Sequence, residues 1–332
     1  MPNDHVLVTG GAGFIGSHLV DLLIEQGRRV SVLDRLSHGG SLMNLERHAG
    51  DGRFRFVRGD VNDVALVGDL VREAGAVVHA AAESHVDRSI GDPRGFFETN
   101  LLGTQTVLEA ARRAGARMLM ISTDEVYGPG EPGGGLFDED APMRPRSPYA
   151  ASKAAADLAC QAYVATYGCD VTVVRGTNAF GPRQIERVIP TYVINALEGR
   201  PVPVYGEGLQ RREFLFVADW VRAAALVLER GQAGVPYNIG GGHELENREL
   251  AAKVVALAEA DPALITAAPD RPGHDFRYGV TSGRVRALGW EPETSFEDGL
   301  AETVAWYAEH LNWLRQAHDV EIVTPPRPAE VT

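Results

Sequence analysis

A strand, a glycine-rich loop and a helix follow one another without a gap in VTGGAGFIGSHL, residues 8–19, and no other stretch of the chain restricts its fold so tightly. Gly10, Gly13 and Gly16 allow a sharp turn. They also let backbone N–H groups approach an anion at a helix start, where unpaired N–H groups and the helix dipole favour negative charge. Alone, such a loop fits an ordinary strand-to-helix turn equally well. Its neighbours narrow the reading. The second apolar run, RVSVLD, ends at Asp34, where a carboxylate can accept hydrogen bonds from both hydroxyls of an adenosine ribose and repel a 2′-phosphate. That favours NAD over NADP, although the adjacent Arg35 could serve a 2′-phosphate. The third run, FRFVRGD, leads to Asp60, placed to read an adenine amino group, while Asp63 is better placed to cap a helix.

Runs of strand length keep alternating with amphipathic segments: AVVHAAA, RMLMISTD and DVTVVRG follow, with helices expected at 16–26, near 63–74, near 95–114 and up to about residue 167. Alternation at this spacing predicts an α/β chain with a doubly wound parallel sheet. From Thr177 the rhythm breaks, and Pro182, Pro190, Pro201 and Pro203 divide shorter pieces, which predicts a smaller α/β substrate-binding lobe. The expected organisation is a cofactor domain over 1–176, to which the chain returns around 214–240, a lobe formed mainly by 177–320, and a flexible tail at 321–332. That tail carries three prolines and has no apolar periodicity.

Composition excludes several classes. The net charge is −13 and no basic run stands out, so a nucleic-acid partner is not expected. A few arginines in a cleft can still bind an anionic small molecule. No apolar run approaches the roughly 20 residues that span a bilayer, and the N-terminus lacks a basic region followed by an apolar one. A cytoplasmic protein without a membrane partner is expected. Cys160 and Cys169 offer neither zinc spacing nor a disulfide framework, so no metal is expected.

In SPYAASK, Tyr149 and Lys153 stand four apart at a helix start and share a face. The spacing predicts that the ammonium lowers the phenol's pKa, making it a general base for a hydroxyl. Ser122 and Thr123 close a middle strand, where a hydroxyl can bond the same substrate oxygen. Together with TGGAGFIG, these residues resemble the extended branch of the short-chain dehydrogenase/reductase superfamily, which acts on nucleotide sugars. The likeness runs from TGGAGFIG to DRPGHDFRY. It implies a Rossmann domain holding NAD through Gly10, Gly13, Phe14, Ile15, Gly16, Asp34, Asp60, Val61, Ala80, Ala81, Tyr149 and Lys153. Relatives that only sense the cofactor typically lose the Tyr/Lys pair, which is present here.

Asp124 and Glu125 in MISTDEVYG ask for more than this pair, because buried charge needs a partner. Epimerases of the branch need no extra acids. STDEVYG, AAESHVDRSI, FFETNLLGT and YNIGG instead resemble the dTDP-glucose 4,6-dehydratase family. In the mechanism this implies, Tyr149 takes the proton of the sugar 4-hydroxyl while hydride passes from C4 to NAD+. Glu125 then removes the C5 proton, Asp124 protonates the departing C6 hydroxyl, and hydride returns to C6. Thr123, Asp124, Glu125, Tyr149 and Lys153 form the expected catalytic set. Along a continuing strand Asp124 and Glu125 would face opposite ways, so the reading requires a turn at this point, which VYGPG makes plausible.

By the same resemblance Ser84, His85, Thr123, Asn178, Glu186, Arg187, Arg212, Asn238 and Arg271 bind the nucleotide sugar, with Arg212 and Arg271 clamping the diphosphate. His85 fits a packed loop residue equally well. GPRQIERVIP departs from the family's G-P-Y-H-F-P-E-K-L-I-P: it is one residue shorter and has Arg187 for the usual lysine. The nucleotide therefore stays open between dTDP and UDP or another base. A homodimer through helices near 95–114 and 150–167 is also implied. The apolar positions Ala154, Leu158 and Ala162 fit intrachain packing equally well.

Overall fold

A computed structural model describes residues 4–130, 134–185, 187–269 and 277–313. Glu186, Arg271 and the tail from 321, for which the sequence carries expectations, lie outside these residues. The first half alternates strictly: β1 (His5–Thr9), α1 (Phe14–Glu25), β2 (Arg29–Asp34), β3 (Phe54–Arg58), α2 (Val64–Glu73) and β4 (Ala76–His79). Two short helices follow, α3 (Val86–Gly91) and α4 (Pro93–Phe97), and then a π-helical turn (Glu98–Gly103) leads into α5 (Thr104–Ala114). β5 (Arg117–Thr123), α6 (Pro148–Tyr167) and β6 (Val171–Gly176) complete the repeat. Asp63 caps α2 by accepting the Leu66 N–H at 3.0 Å, as its position ahead of an apolar run predicts.

The second half of the chain forms β7 (Asn178–Phe180), α7 (Val188–Leu197), β8 (Val202–Tyr205), β9 (Arg211–Phe216), α8 (Val217–Arg230), β10 (Pro236–Ile239) and β11 (His243–Glu246). The remaining elements are α9 (Asn247–Leu257), β12 (Ile265–Ala268), β13 (Arg277–Tyr278), α10 (Gly283–Ala287) and α11 (Phe296–Glu309).

Seven strands form one parallel sheet in the order β10-β6-β5-β4-β1-β2-β3. Its inner strands are almost continuously apolar because both faces are covered. Val6, Val8, Leu19, Leu23, Val30 and Trp220 pack on one face, and Leu7, Val67, Leu70, Leu108, Met118 and Met120 on the other. Strand order reverses between β1 and β4, which opens a crevice at their carboxyl ends. The glycine loop after β1, the 80–85 loop after β4 and residues 124–127 after β5 all leave the sheet at that edge.

β9 pairs with β7, β11 and β13, and β8 pairs with β12. Phe180, Phe214, Phe216 and Phe296 fill the core beside this smaller sheet. Residues 211–216 therefore lie in the smaller sheet, and the chain first re-enters the larger body through α8 and β10. It does so again at α10, because Val285 and Trp290 are buried with the α1 and α8 residues. Proline spacing does not reveal this second return, which depends on where two apolar side chains find cover.

Candidate active site

The glycine loop is built by close backbone approach. Gly10 has φ of 71°, and a Cβ there would strike the backbone of Ala80 and Ala81. A Cβ on Gly16 would strike the carbonyl of Gly10. Gly13 caps α1 without a side-chain bond, and the helix has no acidic residue in its first turn, so the N–H groups of Phe14 and Ile15 are placed for an anion. Asp34 accepts the N–H of Ala12 at 3.0 Å and that of Leu36 at 2.8 Å. Burial raises its pKa, and these two N–H groups act against that rise. Each oxygen keeps a lone pair for a ribose hydroxyl, so the donor and acceptor set fits a dinucleotide.

Arg35 donates to Asp60 at 3.0 Å and to Glu83, an arrangement that engages its guanidinium away from any 2′-phosphate. Asp60 also accepts from the backbone N–H of Asn62 at 2.9 Å. Val61 is buried against the π-helical turn, where a Cβ on Gly103 would meet its side chain. The Ala80 and Ala81 N–H groups are held by the carbonyl and hydroxyl of Thr9.

β5 stops at Thr123, and Asp124–Tyr127 form a 3₁₀ turn whose first N–H groups are capped by the Thr123 hydroxyl, which accepts from Glu125 at 3.3 Å. The chain thus bends where a continuing strand would have separated the two acids. Asp124 and Glu125 both act electrostatically on Tyr149, and Thr123 is hydrogen-bonded to the same phenol. Asp124 is buried, and its Oδ2 has no hydrogen-bond partner among the described residues. Burial, then the charges of Glu125 and Glu213, raise its pKa well above the usual carboxylate range. A neutral carboxylic acid is the form this environment favours. Ser122 is also buried without a partner for its hydroxyl among the described residues, so Thr123 is the hydroxyl that meets Tyr149.

Tyr149 and Lys153 stand one turn apart on α6, whose start is capped by Ser147 accepting the Ala150 N–H at 3.0 Å. The expectation that Lys153 lowers the phenol's pKa needs correcting. The Lys153 ammonium donates to the Ile121 carbonyl at 2.6 Å, and burial brings its own pKa down to about 8. Tyr149 is instead pushed upward, first by burial and then by Glu125, and Arg187 is the cation that opposes this. Burial therefore holds the phenol's proton more tightly than in a free tyrosine.

On the substrate side, Arg187 precedes α7. Arg212 is almost buried, lies 4.9 Å over the Tyr278 ring and lowers the pKa of Asp124. Ser84 is exposed, while His85 is half-buried with φ of 130° just before α3. Asn178 lies exposed on β7, and its amide donates to the Glu213 carbonyl at 3.3 Å. Asn238 must be withdrawn from the substrate set. It is 0% exposed, accepting the Tyr127 hydroxyl at 2.7 Å and donating to the Phe137 carbonyl at 3.2 Å. Tyr127 continues to Arg175 and its ion pair with Asp157 at 2.7 Å, a buried network that braces the sheet edge.

Two site residues escaped sequence reasoning. Asn100, in the π-helical turn, holds the 80–85 loop by bonding both the N–H and the carbonyl of Glu83, and donates to Ser152 on α6 at 2.9 Å. An amide in the apolar run FFETNLLGT was its only signal. Glu213 is buried on β9, accepts the N–H groups of Gly242 and Val280, and faces Asp124 electrostatically. Nothing in RREF separates it from a surface acid.

Residues 6–240 match the model of the NAD dependent epimerase/dehydratase family. The chain belongs to this family. Among similar family members, the dTDP-glucose 4,6-dehydratase of Streptomyces niveus is 48% identical over 93% of this chain and 94% of its own length. The dTDP-glucose 4,6-dehydratase of Streptomyces venezuelae, solved with NAD and dTDP bound, superposes with a TM-score of 0.91 at 46% identity, covering 94% of this chain and 99% of that one. The UDP-glucose 4-epimerase of Thermus thermophilus, solved with NAD, reaches a TM-score of 0.85 at 35% identity over 92% of this chain and 99% of that one. The fold is thus common to dehydratases and epimerases of the family. What the site can do depends on its acids.

Proposed function

We propose that this protein is an NAD-dependent dTDP-glucose 4,6-dehydratase, a hydro-lyase with no net redox change, converting dTDP-glucose to dTDP-4-keto-6-deoxyglucose. The observation that carries the reading is the turn at Asp124, which sets a buried carboxyl, one oxygen of which has no hydrogen-bond partner among the described residues, and a second, partly exposed carboxyl at one phenol. An epimerase returns hydride to the carbon it came from and needs neither acid.

NAD, when bound, takes up hydride and gives it back. The chain's own residues do the proton work. Tyr149, hydrogen-bonded to Thr123, accepts the proton of the 4-hydroxyl once cationic charge stands beside it. Lys153 is held nearby, and its pKa of about 8 suits a proton carrier at neutral pH. The C4 ketone acidifies C5–H, Glu125 removes that proton, and Asp124 delivers its own to the C6 hydroxyl as water leaves. The proton that Glu125 gained exchanges with solvent, and Glu125 delivers the exchanged proton to C5 after hydride reaches C6. Arg212 is proposed to help hold the diphosphate, Arg187 the nucleoside end, and Ser84 and His85 the hexose hydroxyls, with Asn178 near the phosphates.

We further propose a cytoplasmic homodimer. Among the described residues no helix is long and apolar enough to cross a membrane. Phe97, Leu102, Leu158 and Tyr167 are exposed along the α4–α5 and α6 surfaces, and exposed apolar positions of this kind support association there. Ala154 belongs instead to the intrachain core, while Leu158 and Ala162 face outward.

The test is incubation with a panel of nucleoside-diphosphate sugars without added reductant, followed by mass analysis. Loss of one water from dTDP-glucose, with one deuterium entering at C5 from heavy water, is expected. An isomer of unchanged mass would overturn the reading in favour of epimerisation.

A further inference from the structure

Arg183 occupies a strained position in the segment that leads from β7 to α7. Its φ of 68° lies in the left-handed region, which a side chain other than glycine adopts only when its surroundings hold it there. The guanidinium is largely buried and pairs with Asp21 of α1 at 2.7 Å. It donates to the Asn44 carbonyl at 2.9 Å and to His18 Nδ1 at 2.8 Å. Because Nδ1 accepts, the His18 proton sits on Nε2, which donates to the Pro182 carbonyl at 3.0 Å. Burial and the Arg183 charge pull the His18 pKa down to about 3, which keeps this tautomer neutral. Guanidinium, imidazole and the 182–183 backbone therefore close a ring.

The ring reaches both halves of the molecule. Asn44 donates through Nδ2 to the Ala12 carbonyl of the glycine loop at 2.8 Å, and Ala12 in turn donates to Asp34. On the lobe side the Gln184 carbonyl accepts the Tyr307 hydroxyl of α11. Three residues past Gln184 stands Arg187, the cation that opposes the upward shift of Tyr149. Asp21 is also bonded by His48 at 2.6 Å and by Arg47 at 3.2 Å, so the anchor on the α1 side is itself braced.

We infer that Arg183 is a positioning residue for the dehydratase reaction: it pins the segment carrying Arg187 to the cofactor loop and so sets the grip on the substrate's nucleotide. The inference rests on the reading of Arg187 as a substrate-binding residue.

Three variants separate these roles. Arg183→Met removes the guanidinium, Arg183→Gly removes it while relieving the left-handed backbone, and Arg183→Lys keeps a charge without the planar fork. For each, the thermal midpoint, bound NAD, dTDP affinity, and kcat and KM for dTDP-glucose are measured. Met and Gly should bind dTDP about 10-fold more weakly and raise KM by a similar factor, with kcat within about 3-fold and NAD content unchanged. Lys should recover part of the affinity. Unchanged dTDP affinity in the Gly variant would overturn the proposal. So would parallel loss of NAD and thermal stability in all three variants, because that is the signature of a brace for the fold. If the wild type bound dTDP but did not dehydrate dTDP-glucose, the proposed function would fail, and the dTDP affinities would still decide the role of Arg183.

Discussion

Two aspartates at the carboxyl edge of the same sheet, with two strands between them, have opposite fates. Asp34 closes β2 at 9% exposure and Asp124 follows β5 at 5% exposure. Burial raises the pKa of both. At Asp34 the backbone supplies two N–H groups, one to each oxygen, and a carboxylate so bonded stays a fixed acceptor. At Asp124 one oxygen has no hydrogen-bond partner among the described residues, and the nearby charges include Glu125 and Glu213. The same side chain becomes an acceptor for a ribose in one place and a proton donor in the other. What differs is where the local backbone N–H groups point.

The strongest way to break this comparison is to neutralise each acid of the elimination corner. Glu125→Gln should still permit oxidation at C4 but stall water loss, lowering turnover by about 10²- to 10⁴-fold and leaving a 4-keto hexose of unchanged oxygen count in the mass spectrum. Asp124→Asn should cost a comparable factor in turnover. Below about pH 3.8 its folding stability should stay within about 1 kcal/mol of wild type, because the amide resembles the neutral acid, and at neutral pH the variant should be the more stable, because unfolding the wild type there releases the proton of residue 124. Denaturant melts check the second half of that statement. A large loss of stability would mean that residue 124 is held as an anion.

Asp34→Asn should be milder and of another kind. An amide turns donors toward the N–H groups of Ala12 or Leu36 and loses a charge-assisted acceptor, worth roughly 1.5–3 kcal/mol. NAD affinity should fall by about 10- to 100-fold, measured by titration, while kcat at saturating NAD is little changed. If kcat fell as steeply as in Asp124→Asn, the division between the two aspartates would be lost.

The smallest effects are in the pH dependence of stability. The folded-state pKa of Asp124 is raised above 3.8, so the stability linked to it is complete below about 3.8 and is lost as pH rises through the folded value. Lys153 is depressed from 10.5 to about 8, so its contribution is complete above about 10.5 and is lost as pH falls through about 8. Urea melts of ligand-free protein should therefore lose a falling limb in Asp124→Asn and a rising alkaline limb in Lys153→Met.

The same contrast explains how much was legible in the sequence. The glycine loop and the parallel sheet rest on backbone sterics and on apolar alternation, which are local and leave marks at fixed spacing. Asp124, Glu125, Tyr149 and Thr123 could be named because a strand end, a turn signal and a helix start are also local. Their electrostatics could not be read, because the Lys153 ammonium finds the Ile121 carbonyl and Arg187 arrives from the lobe. Asn238 resembled a substrate contact, yet Tyr127 and Phe137, both distant in sequence, occupy it. Asn100 and Glu213 carry no pattern of their own, and only the assembled chain brings them to the site.

The account stands on Asp124 being a neutral acid beside the Glu125 carboxylate. Difference infrared spectroscopy between wild type and Asp124→Asn at neutral pH tests this directly. A protonated-carboxyl C=O band should be present in wild type and absent in the variant. A wild-type spectrum that loses only carboxylate bands on substitution would contradict it.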